Sequence, residues 1–192
     1  LTGELEPTNQ WYAIAKISGL KLIESLKKQY NRNYVALMPT NLFGPNDNFD
    51  LETSHVIPAM IRKFHEAMKD GHKTVNLWGT GSPRREFLHV DDLAKSVIFA
   101  LENNLPGFLY NVGTGDDMTI KNVADIIQTK VGHKGKIAWD SNKPDGTPRK
   151  LLDISKLSQM GWSYKIEFKD GIEKTYKWYL SNIYNYRKTK II

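Results

Sequence analysis

The sequence of 192 residues contains no cysteine. This absence excludes a disulfide framework, a thiolate metal site and a cysteine nucleophile within the chain. It fits a reducing compartment, and we predict a cytoplasmic location. No apolar run approaches the roughly 20 residues that a membrane span needs. Residues 1–7 contain neither the basic nor the apolar segment of a signal peptide, and an initiator methionine is missing as well. We therefore expect no membrane partner.

The composition is that of an ordinary globular protein. Hydrophobic residues make up 40% of the chain and charged residues 25%, which suits one sizeable core. The net charge of +6 favours an anionic ligand. The basic and aromatic stretch 184–190 has a composition that can bind nucleic acid, although a short tail acquires it without any function. We predict no nucleic-acid partner.

A long helix dominates the beginning of the chain. Apolar spacing predicts it over 10–30, with Thr8 and Asn9 as N-cap candidates. The apolar positions form more than one stripe, and a helix that is apolar on two sides is usually covered on two sides. One partner would be a sheet and the other a second subunit.

The segment after this helix predicts the fold class. Residues 33–38 form a short apolar strand that we expect to end at Pro39. A helix followed by such a strand is the second half of a βαβ unit, so we predict an α/β fold with a parallel sheet. We place a boundary near residue 45, with residues 46–192 mainly in a smaller α/β lobe, and expect the strand at 108–112 to return to the first sheet.

The remaining elements follow from periodicity and capping residues. We predict helices at about 57–69, 91–103, 120–131 and 168–185, and strands at 75–78, 84–90, 108–112 and 136–139. For the helix at 91–103 we expect Asp91 as the cap and an inner side made of Leu93, Val97, Ile98 and Leu101. For the helix at 120–131 we expect Thr119 as the N-cap and Gly132 just after the C-terminal end.

The pair Tyr12 and Lys16 has a spacing that allows proton-transfer chemistry. At a spacing of four both side chains leave the same helix face, one turn apart. An ammonium beside a phenol lowers the phenol pKa, which makes it a better proton donor or acceptor near neutral pH. A surface pair on an amphipathic helix has the same pattern, so the spacing alone does not decide.

Three further features have open interpretations. The loop 39–48 follows a strand, and ligands bind at the carboxyl ends of strands in open α/β sheets, although a surface connection looks the same. His55 stands alone before a helix, where a histidine is more often structural or solvated than catalytic. Gly113-Thr114-Gly115 follows a strand but lacks the third glycine of the dinucleotide fingerprint, so we reject that interpretation.

Five stretches together resemble the GDP-L-fucose synthase family of extended short-chain dehydrogenase/reductases. They are EPTN at 6–9 with Tyr12 and Lys16, MPTNLFGP at 38–45, SHVIP at 54–58, WGTGSPRREFLHVDD at 78–92 and KPDGTPRK at 143–150. The stretches at 54–58 and 143–150 are specific to that family. The Tyr-x-x-x-Lys pattern and the Asp91-Asp92 pair are shared with many nucleotide-sugar epimerases and dehydratases.

The resemblance implies an activity and its ligands. The expected reaction is the NADPH-dependent conversion of GDP-4-keto-6-deoxy-mannose to GDP-L-fucose, by inversion at C3 and C5 and then reduction of the C4 ketone. The expected cofactor is NADP(H), and the family forms dimers through helices that include the one at 10–30. The alternatives are a related nucleotide-sugar 4-epimerase or 4,6-dehydratase, and a non-catalytic fragment that binds GDP-sugars.

The resemblance also assigns roles to residues. Tyr12 would be the proton donor to the C4 oxygen, Lys16 would hold the nicotinamide ribose, and His55 would be the acid/base of the epimerisation. The cofactor-binding set would comprise Tyr12, Lys16, Pro39, Thr40, Asn41, Leu42 and His55. The GDP-sugar would be held by Lys63, Trp78, Arg85 and Asp145.

One part of the family pattern is missing. The strand, Gly-rich turn and helix that hold the pyrophosphate, together with the active-site serine and its partner cysteine, would lie upstream of residue 1. Residues 1–45 would then be the C-terminal part of an NADP-binding Rossmann domain. We expect the isolated chain neither to bind NADPH well nor to turn over substrate.

Overall fold

The structure is a computed structural model and describes residues 3–184. Within this range it contains six α-helices and nine strands. The helices are α1 (Gln10–Tyr30), α2 (Val56–Lys69), α3 (Val90–Glu102), α4 (Ile120–Val131), α5 (Ser155–Gln159) and α6 (Phe168–Ser181). The strands are β1 (Ala36–Pro39), β2 (Asn41–Phe43), β3 (Thr74–Trp78), β4 (Arg84–Arg85), β5 (Phe87–His89), β6 (Leu109–Val112), β7 (Met118–Thr119), β8 (Lys136–Asp140) and β9 (Arg149–Lys150). Of the predicted tail 184–190, all but Tyr184 lies outside the described residues.

The strands pair mostly in parallel. β1 pairs with β6, β2 with β5 and β3 with β8, each in parallel. β4 lies between β9, which is parallel to it, and β7, which is antiparallel. Helices separate most of the paired strands along the chain, as parallel pairing requires. This arrangement confirms the predicted α/β class with a parallel sheet.

Two apolar clusters form the core. The larger one joins α2, α4 and α6, and α4 packs against both of the other helices. It includes Phe49, Ile61, Phe64, Ile127, Ile172 and Tyr179. The smaller cluster surrounds β6 and α5 and includes Leu88, Leu105, Tyr110, Val112, Leu157 and Trp162.

Helix α1 has the predicted bounds but contains no buried residue. It ends where Asn31 adopts a left-handed conformation (φ 49°), which asparagine tolerates better than most residues. Trp11 is 76% exposed, and Leu22 is exposed as well. Neither of the two apolar sides predicted from the sequence is therefore buried by the described part of this chain. No helix within residues 3–184 is long and apolar enough to cross a membrane.

Helix α3 differs from the sequence predictions in its cap and in its inward face. Its cap is His89, whose Nδ1 accepts a hydrogen bond from the backbone N–H of Asp91 at 3.2 Å. Leu93 packs against the smaller cluster as predicted, and the inward face also carries Asp92 and Ser96, whereas Leu101 is 81% exposed, and Val97 and Ile98 are exposed too. The helix has this orientation because the carboxylate of Asp92 accepts hydrogen bonds from the backbone N–H groups of residues 165 and 166, which satisfies the buried charge.

The strand predicted at 84–90 is broken. β4 and β5 are separated by Glu86, whose side chain is completely buried. The backbone oxygen of Glu86 accepts from the side chains of Thr40 and Asn41, and its carboxylate accepts from the backbone of two distant segments. The predicted caps of α4 are confirmed: Thr119 accepts from the N–H of Asn122, and Gly132 ends the helix with φ 91°.

Burial of His65 makes stability depend on pH. Its Nδ1 lies 3.0 Å from the hydroxyl of Tyr176 in the larger cluster, and burial lowers the pKa of the imidazole below 6.5. The unfolded chain therefore takes up a proton at a higher pH than the folded chain. The free energy of unfolding is greatest above about pH 6.5 and falls as the pH drops below it. We expect the urea midpoint to decrease between pH 7 and pH 5.

The variant His65→Gln tests whether His65 causes this pH dependence of the stability. We expect a smaller decrease of its urea midpoint between the two pH values, with the remainder due to His89, whose pKa burial also lowers. The control is His72→Gln, because His72 is exposed and should keep the full pH dependence. Equal pH dependence in the His65 variant and the unmodified chain would contradict the assignment.

Candidate active site

One cleft of about 1140 Å³ brings the predicted site together. It runs from the first turns of α1 along β1 and β2 to the loop after β2, the start of α2 and the turn after β3. The predicted residues that line it are Tyr12, Lys16, Pro39, Thr40, Asn41, Leu42, His55, Trp78, Arg85 and Asp145. Of the predicted set, only Lys63 does not line the cleft. Segments far apart in sequence thus contribute to a single concave site.

The pair from α1 lies at one end of the cleft. The Nζ of Lys16 is 5.4 Å from the centre of the Tyr12 ring, and Tyr12 is 60% exposed. One turn of helix separates the two residues, as their spacing predicts. The arrangement presents a phenol hydroxyl with a positive charge nearby, which can give or accept a proton for a bound molecule.

The loop between β1 and β2 is held by polar side chains. The Oγ1 of Thr40 and the Nδ2 of Asn41 both donate to the backbone oxygen of Glu86, at 3.2 and 2.7 Å. The backbone N–H of Thr40 also donates to the oxygen of Val112 at 3.0 Å. Since Pro39 removes another degree of freedom, this wall of the cleft is fixed before any ligand arrives.

His55 has a carboxylate near it that the sequence interpretation missed. His55 is exposed and occupies the N-cap position of α2 without a side-chain cap bond. Asp47 lines the same cleft; burial raises its pKa, while the N–H of Asn48 and the nearby His55 act in the opposite direction. Imidazole and carboxyl groups here provide two sites for proton transfer. An acidic residue in the loop after a strand was the available signal.

Two lysines lie near the ring of Trp78. The Nζ of Lys63 and that of Lys143 lie 5.8 and 5.3 Å from the centre of its ring, which is 62% exposed. Lys63 also donates to the oxygen of Asn76 at 3.2 Å, and partial burial lowers its pKa. An exposed aromatic ring with two cations nearby suits a ligand that has a flat ring and negative charge. Lys143 is absent from the predicted set, although it begins the stretch 143–150.

Hydrogen bonds of Asp145 hold the stretch 143–150 close to Thr80 and Arg85. Its carboxylate accepts hydrogen bonds from the N–H and the Oγ1 of Thr80, both at 2.7 Å, and these bonds lower its pKa. Gly79 makes the approach possible, because it has φ 78° and any Cβ there would collide with Oδ1 of Asp145. Gly146 lies beside the guanidinium of Arg85, since a Cβ at that glycine would be 3.6 Å from Nη2. The carboxylate of Asp145 thus binds the turn, and its contact with a substrate stays a prediction.

Known proteins resemble this chain over nearly all its length. The model of the NAD dependent epimerase/dehydratase family matches residues 1–113. GDP-L-fucose synthase 1 of Arabidopsis thaliana is 52% identical over 185 residues, which are 96% of this chain and 57% of that protein. GDP-L-fucose synthase of Escherichia coli is 52% identical over 191 residues, covering 95% of this chain and 60% of its own length. The chain therefore spans less than two thirds of these relatives.

A solved structure has the same fold. The GDP-L-fucose synthetase of Naegleria fowleri bound to NADP superimposes with a TM-score of 0.86 at 28% identity, over 97% of this chain and 60% of that one. This likeness and the family match confirm the predicted Rossmann type of the fold. The identities confirm the resemblance that the five sequence stretches predict.

Proposed function

The chain belongs to the NAD dependent epimerase/dehydratase family, and we propose that it carries the catalytic tyrosine and the substrate-binding part of a GDP-L-fucose synthase. The observation that carries the proposal is that Tyr12, His55 and Trp78 open onto one cleft. The proposed substrate is GDP-4-keto-6-deoxy-mannose, the cofactor is NADP(H), and the location is the cytoplasm. Relatives at 52% identity with this activity in their names support the assignment.

The cleft fits a dinucleotide and a sugar together. Its volume of about 1140 Å³ exceeds the roughly 300–1,000 Å³ of a typical small-molecule site. Lys16 and the loop 39–42 form the wall that would hold the nicotinamide half, with the ammonium of Lys16 on the ribose. NADPH, when bound, supplies the hydride.

We assign different proton transfers to His55 and Tyr12. A C4 ketone acidifies the hydrogens on C3 and C5, so inversion at these carbons needs a base on one face of the sugar and an acid of moderate pKa on the other. We assign one of these two roles to His55. Tyr12 gives its phenolic proton to the C4 oxygen as the ketone is reduced. At the other end, Trp78 stacks on a flat part of the ligand, and Lys63 and Arg85 neutralise the diphosphate.

The first prediction concerns the isolated chain. In calorimetric titrations we expect GDP to bind, because Trp78, Lys63 and Arg85 are all present, and Trp78→Ala to weaken that binding. We expect no comparable binding of NADPH and no reductase activity, because the chain spans only 57–60% of the relatives. NADPH binding as tight as that of GDP, or turnover by the isolated chain, would contradict this prediction. Binding of neither would contradict the proposed function.

The second prediction concerns catalysis in a completed protein, which we define as this chain fused behind the N-terminal region of the Escherichia coli relative. We expect Tyr12→Phe to lower the rate of reduction by a factor on the order of 10²–10⁴, because the proton donor is lost. Exchange of deuterium from solvent into C3 and C5, followed by NMR, should persist in this variant. Tyr30→Phe is the matched control, since Tyr30 is an exposed tyrosine at the other end of the same helix.

His55→Gln should abolish the exchange of deuterium into C3 and C5, because the acid/base of the epimerisation is lost. His72→Gln, at an exposed position outside the cleft lining, is the control. A nucleotide-sugar 4-epimerase has no need of acid/base chemistry at C3 and C5. If both the exchange and the overall rate survived in His55→Gln, the 4-epimerase alternative would replace the proposed activity.

The third prediction concerns a second copy of the chain. Tyr12 and Lys16 face the cleft, whereas Trp11 and Leu22 leave the opposite side of α1, and both are exposed. We propose that a second subunit covers this side, because a wide apolar face on a long helix is seldom left in water. Sedimentation should show the completed protein as a dimer and Leu22→Glu as a monomer. Lys28→Glu, with a glutamate elsewhere on α1, should remain dimeric; a dimeric Leu22→Glu variant would refute the interface.

A further inference from the structure

Glu86 has a completely buried carboxylate whose partners are three backbone N–H groups and the hydroxyl of Thr114. Its Oε1 accepts from Thr114 at 2.6 Å and from Gly115 at 2.8 Å. Its Oε2 accepts from Leu152 at 3.0 Å. A buried carboxylate is tolerated when its oxygens receive hydrogen bonds. The side chain therefore joins the turn after β6 to the segment that follows β9.

The main chain of the same residue reaches two further parts of the cleft. Its oxygen accepts from the side chains of Thr40 and Asn41, which belong to the wall assigned to the cofactor. Its N–H donates to the oxygen of Lys150 at 3.3 Å. Arg85, the preceding residue, lines the cleft on the substrate side. One residue is thus bonded to both walls.

The surroundings are shaped for this carboxylate. A Cβ at Gly113 would lie 2.1 Å from Oε1 of Glu86, so the turn can approach only because a glycine stands there. The segment 143–152 has other attachments, through Asp145 to Thr80 and through Arg149 to Asp117. Those attachments hold it to the substrate lobe. Within residues 3–184, the hydrogen bonds of Glu86 link the segment 143–152 to the loop at Thr40.

We propose that Glu86 is a positioning residue that keeps the substrate-binding segment 143–152 in register with the cofactor wall at Thr40 and Asn41. It contacts neither ligand itself and acts through Leu152 and Arg85. This inference rests on the proposed function, because that function assigns one wall to the cofactor and the other to the GDP-sugar. It explains why a charge is buried between β4 and β5, where an apolar side chain would continue the strand.

The variant Glu86→Gln separates the two attachments of the side chain. Its amide oxygen can take the place of Oε1 and keep the bonds from Thr114 and Gly115. Its NH₂ group then faces the N–H of Leu152, and two donors cannot pair. The shape is unchanged, and the backbone bonds to Thr40 and Asn41 remain. The change therefore releases Leu152 while preserving the cofactor wall.

We expect selective effects. Hydrogen exchange measured by NMR on the chain should speed up at the amide of Leu152 and stay slow at those of Thr114 and Gly115. The dissociation constant for GDP should rise about tenfold, in keeping with a buried donor left unpaired. In the completed protein the KM for the GDP-sugar should rise while the KM for NADPH stays the same. Glu102→Gln, which removes a charge from an exposed position, should change none of these.

Three outcomes would overturn the proposal. They are equal acceleration at all three amides, an unchanged dissociation constant for GDP, and an equal rise of both KM values. Should Glu86→Gln fail to fold, the unmodified chain still decides, because fast exchange at Leu152 beside protected Thr114 and Gly115 amides would disprove the attachment. If the unmodified chain bound no GDP, the proposed function would fail, while selective release of Leu152 would still support the attachment.

Discussion

The burial of the Glu86 carboxylate constrains the whole cleft. A charged group without water around it must receive hydrogen bonds, and its donors come from the turn at Thr114 and Gly115 and from Leu152. These segments must therefore converge on the gap between β4 and β5. The backbone of Glu86 then receives Thr40 and Asn41. These bonds join the two walls of the cleft.

Two sets of groups in the cleft differ in their chemistry. The phenol of Tyr12 and the imidazole of His55, with Asp47 close to it, are suited to proton transfer. The ring of Trp78 has two lysines near it. Fixed positive charge suits the binding of anionic groups, while titratable groups suit the exchange of protons. This division agrees with a substrate that has its reactive sugar at one end and its nucleotide at the other.

Helix α1 contributes the reactive pair and yet buries no side chain within the described structure. The outward face of α3 adds further exposed apolar residues. Apolar surface of this extent is typical of regions that another polypeptide covers. The proposed N-terminal region and second subunit would supply that cover.

Local patterns in the sequence determined the parallel α/β class, the bounds of α1 and the caps of α4. They also determined most of the predicted residues that meet in the cleft, because five stretches together specify a family, and a family shares its fold; Lys63 and Asp47 are the exceptions. The tertiary structure alone decided the break at Glu86 and the inward turn of Asp92. Both depend on partners distant in the chain, such as Leu152, which is 66 residues from Glu86. Periodicity describes neighbours along a helix or strand, whereas a buried polar group is placed by whichever distant segment satisfies it.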